Sequence, residues 1–169
     1  MKRLDTKKAV TLSALIAVAM ILSYVESLIP ALVAVPGVKL GLSNIATVFT
    51  LYTLGWQYAI CVSAVRVLLS ALLFGNITSL IYSLSGAALA LTVMILLKRI
   101  KLFTTVGVSV AGAVSHNIGQ IIAVCFVMEN AYIAYYIVPL LISGTVAGVV
   151  IGVASAALVD RIKKYLRFL

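Results

Sequence analysis

Acidic residues are nearly missing from this chain. Its 169 residues hold four Asp and Glu together, and the only aspartates are Asp5 and Asp160. Neither belongs to an aspartate cluster that would hold Mg²⁺ on a diphosphate, which excludes prenyl-chain elongation by that route. The single histidine, His116, lies far in depth from either aspartate, so no Ser/His/Asp set assembles. One histidine with no second ligand at useful spacing also excludes a zinc or haem centre. Cys61 and Cys125 stand alone inside apolar runs, without a CxxC pair, as small buried residues do. The GxxxxGK[ST] phosphate loop is missing, and with it ATP hydrolysis by that route. No cofactor is implied. Linkers, low-complexity tails and repeats of 20–50 residues are lacking too, so the chain reads as one domain.

Apolar side chains fill the space that charge leaves. The hydrophobic set makes up 64% of the chain and charged residues 10%, against about 45–50% and about 25% in soluble domains. A water-soluble fold of this size would expose far too much apolar surface. The net charge of +9 raises nucleic-acid binding as a class, but its placement argues for topology instead. Of the 13 Lys and Arg, eleven fall in three clusters: Lys2, Arg3, Lys7, Lys8; Lys98, Arg99, Lys101; and Arg161, Lys163, Lys164, Arg167. Each cluster flanks an apolar segment, the positive-inside pattern of a prokaryotic plasma-membrane protein. The partner this implies is the lipid bilayer, not nucleic acid.

Six apolar segments are expected to be transmembrane helices in one compact bundle: about Ala9–Ile29, Leu40–Leu54, Tyr58–Phe74, Ile77–Leu97, Leu102–Met128 and Ala131–Val159. The first is too long and uninterrupted for a cleavable signal. Six spans place both termini in the cytoplasm, with Lys98-Arg99-Ile100-Lys101 as a cytoplasmic loop and Glu129-Asn130 as an outer turn. The second segment is short for a span, which takes about 20 residues; tilt, a kink or shielding by protein would accommodate it. Gly55-Trp56-Gln57 reads as a tight turn. Tyr132, Tyr135 and Tyr136 fit an interfacial aromatic belt; Tyr52, Tyr58 and Tyr82 fit either a belt or a wall.

Two basic residues break the topological pattern. Arg66 sits near the middle of the third segment, where a charge costs about 2.5–3.5 kcal/mol on insertion scales. It lies about 12 Å below the outer end of its helix, and Glu26 about 5 Å below the end of the first. A long Arg stem narrows that gap by snorkelling, so Arg66 is read as a structural partner of Glu26, as a ligand contact, or as both. Lys39 is a lone cation on the expected outer side, within Pro36-Gly37-Val38-Lys39-Leu40-Gly41-Leu42-Ser43-Asn44. It is an interface anchor, or it holds an anionic or polar ligand with Asn44 and the N-terminus of the second helix. Asn44 is expected to be shallow, above Arg66.

His116, Asn117 and Gln120 share one face in the middle of the fifth segment. Polar side chains at mid-membrane need partners, and the trio lines a polar pocket or makes interhelical contacts. Small residues recur every fourth position: Gly107, Ala111, Ser115, Gly119 and Ala123; Gly144, Gly148, Gly152 and Ala156; and Ala9, Ser13 and Ala17. Such stripes let backbones approach closely. The first two read as internal packing. The third, near the cytoplasmic end of the first helix, packs internally or docks a partner.

The Pro36–Asn44 stretch, Arg66-Val67-Leu68-Leu69-Ser70-Ala71-Leu72-Leu73-Phe74-Gly75, Ser85-Gly86 and His116-Asn117-Ile118-Gly119-Gln120 resemble the Gx transporter family. Its members often carry the label heptaprenyl diphosphate synthase component I. That family is similar in turn to the substrate-binding S components of energy-coupling factor transporters. The resemblance implies a six-helix protein whose outer loops gate a ligand pocket. It also implies a transmembrane coupling subunit with ATPase subunits as partner. Ala9, Ser13 and Ala17 would then be the docking stripe, and Val33 to Asn44 part of the gate. The expected function is capture of a small amphipathic or anionic ligand for uptake by Lys39, Asn44, Arg66, His116, Asn117, Gln120 and Glu26. The alternative is a non-enzymatic scaffold or quinone- or flavin-linked redox accessory, holding a quinone headgroup on His116 and Gln120.

Overall fold

The computed structural model describes residues 6–28 and 41–166, and among them the backbone is helical with no strand. Six α-helices follow in order: α1 Thr6–Leu28, α2 Asn44–Thr53, α3 Trp56–Phe74, α4 Ile77–Ile100, α5 Thr105–Val127 and α6 Ile137–Leu166. A 3-10 helix, Ala131–Tyr136, leads into α6. Five helical stretches are long and apolar enough to cross a membrane, and α2 is not among them. Its 10 residues rise about 15 Å, half of a hydrocarbon core of about 30 Å. The expectation of six spans is thus corrected to five spans and a half-length helix. Shielding by protein explains α2: every residue from Ala46 to Leu51 is buried, as in a helix enclosed on all sides.

Local chemistry sets the helix ends. Asn76 caps α4, its side chain accepting the Ser79 N–H at 2.8 Å. Thr104 caps α5, accepting the Gly107 N–H at 3.1 Å. Helix α4 runs through Lys98 and Arg99 before ending at the left-handed Lys101, so the expected four-residue loop is mostly helix. Trp56 opens α3 rather than lying in a turn. The proline in α6, Pro139, falls in the first turn, where its missing N–H costs little. In the 3-10 helix, three residues per turn bring Tyr132 over Tyr135, their rings stacked 6.4 Å apart and largely exposed.

Glycine decides the closest contacts. A Cβ on Gly119 would stand 2.7 Å from the Ser85 carbonyl oxygen in α4, and one on Gly148 would stand 2.7 Å from the Val110 Cα in α5. Gly144 and Gly152 meet α5 in the same way, so the α6 stripe is an internal seam as expected. In the expected α5 stripe, Gly119 meets the Ser85–Gly86 backbone of α4 and Ala123 clusters with Tyr82 of α4, whereas a Cβ on Gly107 would meet only Phe103 and Thr104 just before it in the chain. Residues beside the stripe pack too, Gly112 on α4 and Ser109 and Ala113 on α6. Helices α4, α5 and α6 form one tightly packed half. Helices α1 and α3 pack on each other and on α2.

The half-helix α2 ties these parts together. Its start reaches α6, with Ser155 Oγ donating to the Ile45 carbonyl at 3.5 Å. Its end reaches α4: the Lys98 ammonium donates to the Leu51 carbonyl and lies over the Tyr52 ring at 5.0 Å. Lys98 thereby satisfies a last-turn carbonyl and complements the C-terminal dipole of α2. Around α2, the buried residues Val48, Leu51, Leu91, Met94, Val108 and Ile151 form one apolar cluster, and Ala19, Ala46 and Val62 form another.

The Gly148→Val variant forces α6 off α5 and is expected to lose about 1–3 kcal/mol of stability, the usual cost of overpacking. Val149→Ala on the exposed face is expected to lose under about 0.5 kcal/mol. Thermal unfolding of the purified protein in mild detergent measures both.

Candidate functional site

One turn beyond the Ala19–Ala46–Val62 cluster, the same three helices turn polar. Ser23 and Glu26 stand on the inward face of α1, Ser43 and Asn44 open α2, and Arg66 projects from α3. Arg66 is 7% exposed and Glu26 is 4% exposed. A charge so enclosed needs compensation. It comes through a third group: Arg66 Nη1 donates to Ser43 Oγ at 2.6 Å, and Ser43 Oγ donates to Glu26 Oε2 at 3.4 Å. Attraction from the Glu26 carboxylate acts on the guanidinium, yet no direct ion pair joins them among the described residues. The expected Arg66–Glu26 partnership is therefore built around a serine hydroxyl.

The turn into α2 makes this possible. Gly41 has φ +81°, a left-handed backbone that a side chain would strain. That conformation aims the Gly41 N–H at Glu26 Oε1, which accepts it. The Asn44 N–H then returns to the Gly41 carbonyl at 2.8 Å. Ser43 stands at the N-cap position but makes no side-chain cap bond, because its hydroxyl serves Arg66 and Glu26. Asn44 Oδ1 lies 3.4 Å from Arg66 Nη2. Asn44 is expected above Arg66; in the structure the two share one layer.

The α5 trio divides. Asn117 is committed to packing: its amide donates to the Leu140 carbonyl in α6 at 2.6 Å, beside Gly144. His116 and Gln120 face α4, where a Cβ on Gly86 would stand 3.0 Å from His116 Cε1 and 2.8 Å from Gln120 Cγ. Spacing of three and four groups the trio, but 100° per residue fans it between two neighbours. Lys39 and the Val33–Leu40 part of the expected gate lie outside the described residues. In the α1 stripe Ala9 is half-buried, while Ser13 and Ala17 are exposed. Of the two readings for that stripe, internal packing does not use Ser13 or Ala17.

Sequence reasoning missed Ser43 as a functional group. It also missed Ser23 and Thr47, whose hydroxyls are buried with no hydrogen-bond partner. The signal was there in spacing: Ser23 is three residues from Glu26, and Thr47 is four from Ser43, so each repeats on the face of a residue already in the layer.

The family described as heptaprenyl diphosphate synthase component I matches residues 15–158. The chain belongs to this family. No curated protein matches it, and no solved structure does. The match begins inside α1 and ends inside α6, so the matched range includes Glu26, Ser43 and Arg66. The word synthase in its description contrasts with a chain whose two aspartates stand at residues 5 and 160.

Ser43→Ala leaves a buried guanidinium and a buried carboxylate without their bridge and is expected to cost about 1–3 kcal/mol. Ser27→Ala, which removes only an exposed bond to the Tyr24 carbonyl, is expected to cost under about 0.5 kcal/mol. Chemical denaturation in detergent distinguishes the two.

Proposed function

We propose that this chain is the membrane-embedded binding subunit of an uptake system, in the manner of energy-coupling factor S components, and not a prenyl synthase. The observation that carries the reading is the buried Arg66 layer. A guanidinium enclosed in an apolar helical bundle is expensive, and such residues in membrane proteins mark substrate paths more often than scaffolding. The protein retains this one at the start of a half-length helix, held by one serine and one weak amide contact.

In this reading both termini are cytoplasmic, in a prokaryotic plasma membrane, and the ligand arrives from the outer side. Two features support a partner that supplies the energy. Ser13 and Ala17 present a small, uncovered face on α1, the most lipid-exposed of the long helices. The chain also has no phosphate loop of its own. A transmembrane coupling subunit with ATPase subunits fits that face. The redox alternative rests on His116 and Gln120, which here lie against the Gly86 backbone; that packing leaves the quinone reading without support of its own.

Two measurements test the proposal. Mass spectrometry of small molecules released from the purified protein is expected to recover a bound ligand. Ala17→Leu is expected to abolish co-purification with a coupling subunit while leaving the unfolding temperature and ligand recovery unchanged. Unfolding by Ala17→Leu, or a protein that retains no small molecule and joins no coupling subunit, overturns the proposal.

A further inference from the structure

Building on the binding-subunit reading, we infer that the Arg66 layer takes an oxyanion, a carboxylate or phosphate group of the ligand, on the side edge of the guanidinium. A guanidinium carries five N–H donors in a fixed fork. Two are engaged among the described residues: Nη1 by Ser43, and Nη2, at the long distance of 3.4 Å, by Asn44. Nε is buried with no partner. The Nε–H and the adjacent Nη2 N–H form the edge that grips two oxygens of one carboxylate or phosphate in parallel. Burying that donor unpaired costs about 1–3 kcal/mol, a cost that an acceptor from outside the chain removes.

The surroundings match the same chemistry. The guanidinium sits at the N-terminus of α2, a 10-residue helix, whose dipole adds positive potential there. Half-length helices that begin inside the bilayer present this end to anionic groups in other transporters. Ser23 Oγ and Thr47 Oγ1 are buried hydroxyls without partners on the two flanking helices, each able to donate to an anion. Glu26 is already engaged by the Gly41 N–H and the Ser43 hydroxyl. It balances the charge of Arg66 through Ser43 and makes no bond to Nε. The unpaired group that carries charge is thus a donor, the Arg66 Nε–H, and it favours an acceptor that is itself negative.

The test follows the Arg66 Nε–H resonance in ¹⁵N-arginine-labelled protein in neutral detergent. Inorganic phosphate, sodium acetate and sodium chloride are titrated separately, and Arg66→Lys identifies the signal. A saturable shift with phosphate alone assigns a phosphate group; saturation with acetate alone assigns a carboxylate; chloride is expected to give only a small linear drift. Thr47→Val, which keeps the shape of the side chain, is expected to weaken binding about tenfold or more, in keeping with loss of one hydrogen bond to a charged group. A linear response to all three anions, or saturation confined to Arg99 or Arg161, overturns the inference. Its failure is separable from that of the binding-subunit reading. A recovered ligand that is neutral or cationic removes the oxyanion and leaves uptake standing, whereas saturable oxyanion binding without any coupling subunit does the reverse.

Discussion

A positive charge that lipid will not solvate governs this molecule. Arg66 is enclosed by α1, α2 and α3, and each of those helices carries a residue whose placement answers it. Glu26 supplies the opposite charge. Ser43 stands between the two as both acceptor and donor, which holds the charges at a distance while keeping the layer neutral. Gly41 takes a left-handed backbone so that the peptide N–H completes the carboxylate. Even the length of α2 follows, since the helix must begin at the depth of the guanidinium for Ser43 and Asn44 to reach it.

The rest of the bundle gives that layer a frame on one side and freedom on the other. Glycines at 119 and 148 bring α4 and α6 into backbone contact with α5, and such contacts are short, directional and intolerant of displacement. Helix α1 has no comparable seam. It touches α2 and α3, faces outward along most of its length, and leaves Ser13 and Ala17 uncovered. Helix α2 lies between these two regimes. Its first residues touch the Arg66 layer and α6, and its last carbonyls are held by Lys98 from α4. A change at the layer therefore has a direct mechanical route, about 15 Å long, to the end of the bundle where α4 ends and α5 begins.

Much of this is legible in the sequence. Lipid as solvent, five of the helices, Arg66 as the residue to explain and Glu26 as its charge partner all follow from composition and depth. The glycine stripe of α6 was legible because four-residue spacing marks one face. What escaped has physical reasons. Hydropathy does not distinguish a helix that spans lipid from one enclosed by protein, so the apolar run over α2 reads as a short span. A serine beside an asparagine looks like a helix start, and only the three-dimensional layer shows that Ser43 gives its hydroxyl to Arg66 instead. His116, Asn117 and Gln120 share a face on paper, but α4 and α6 both press on α5 and divide them.

The central claim is that Arg66 and Glu26 form one energetic unit across Ser43. A double-mutant cycle of Glu26→Gln and Arg66→Met, read by reversible unfolding in detergent, measures it most directly. Each single change leaves a buried charge without its partner and is expected to cost about 3–5 kcal/mol. The double variant is expected to cost at least about 2 kcal/mol less than the sum, because removing both charges relieves the layer. Additive losses within about 0.5 kcal/mol would contradict the account, since independent sites behave that way.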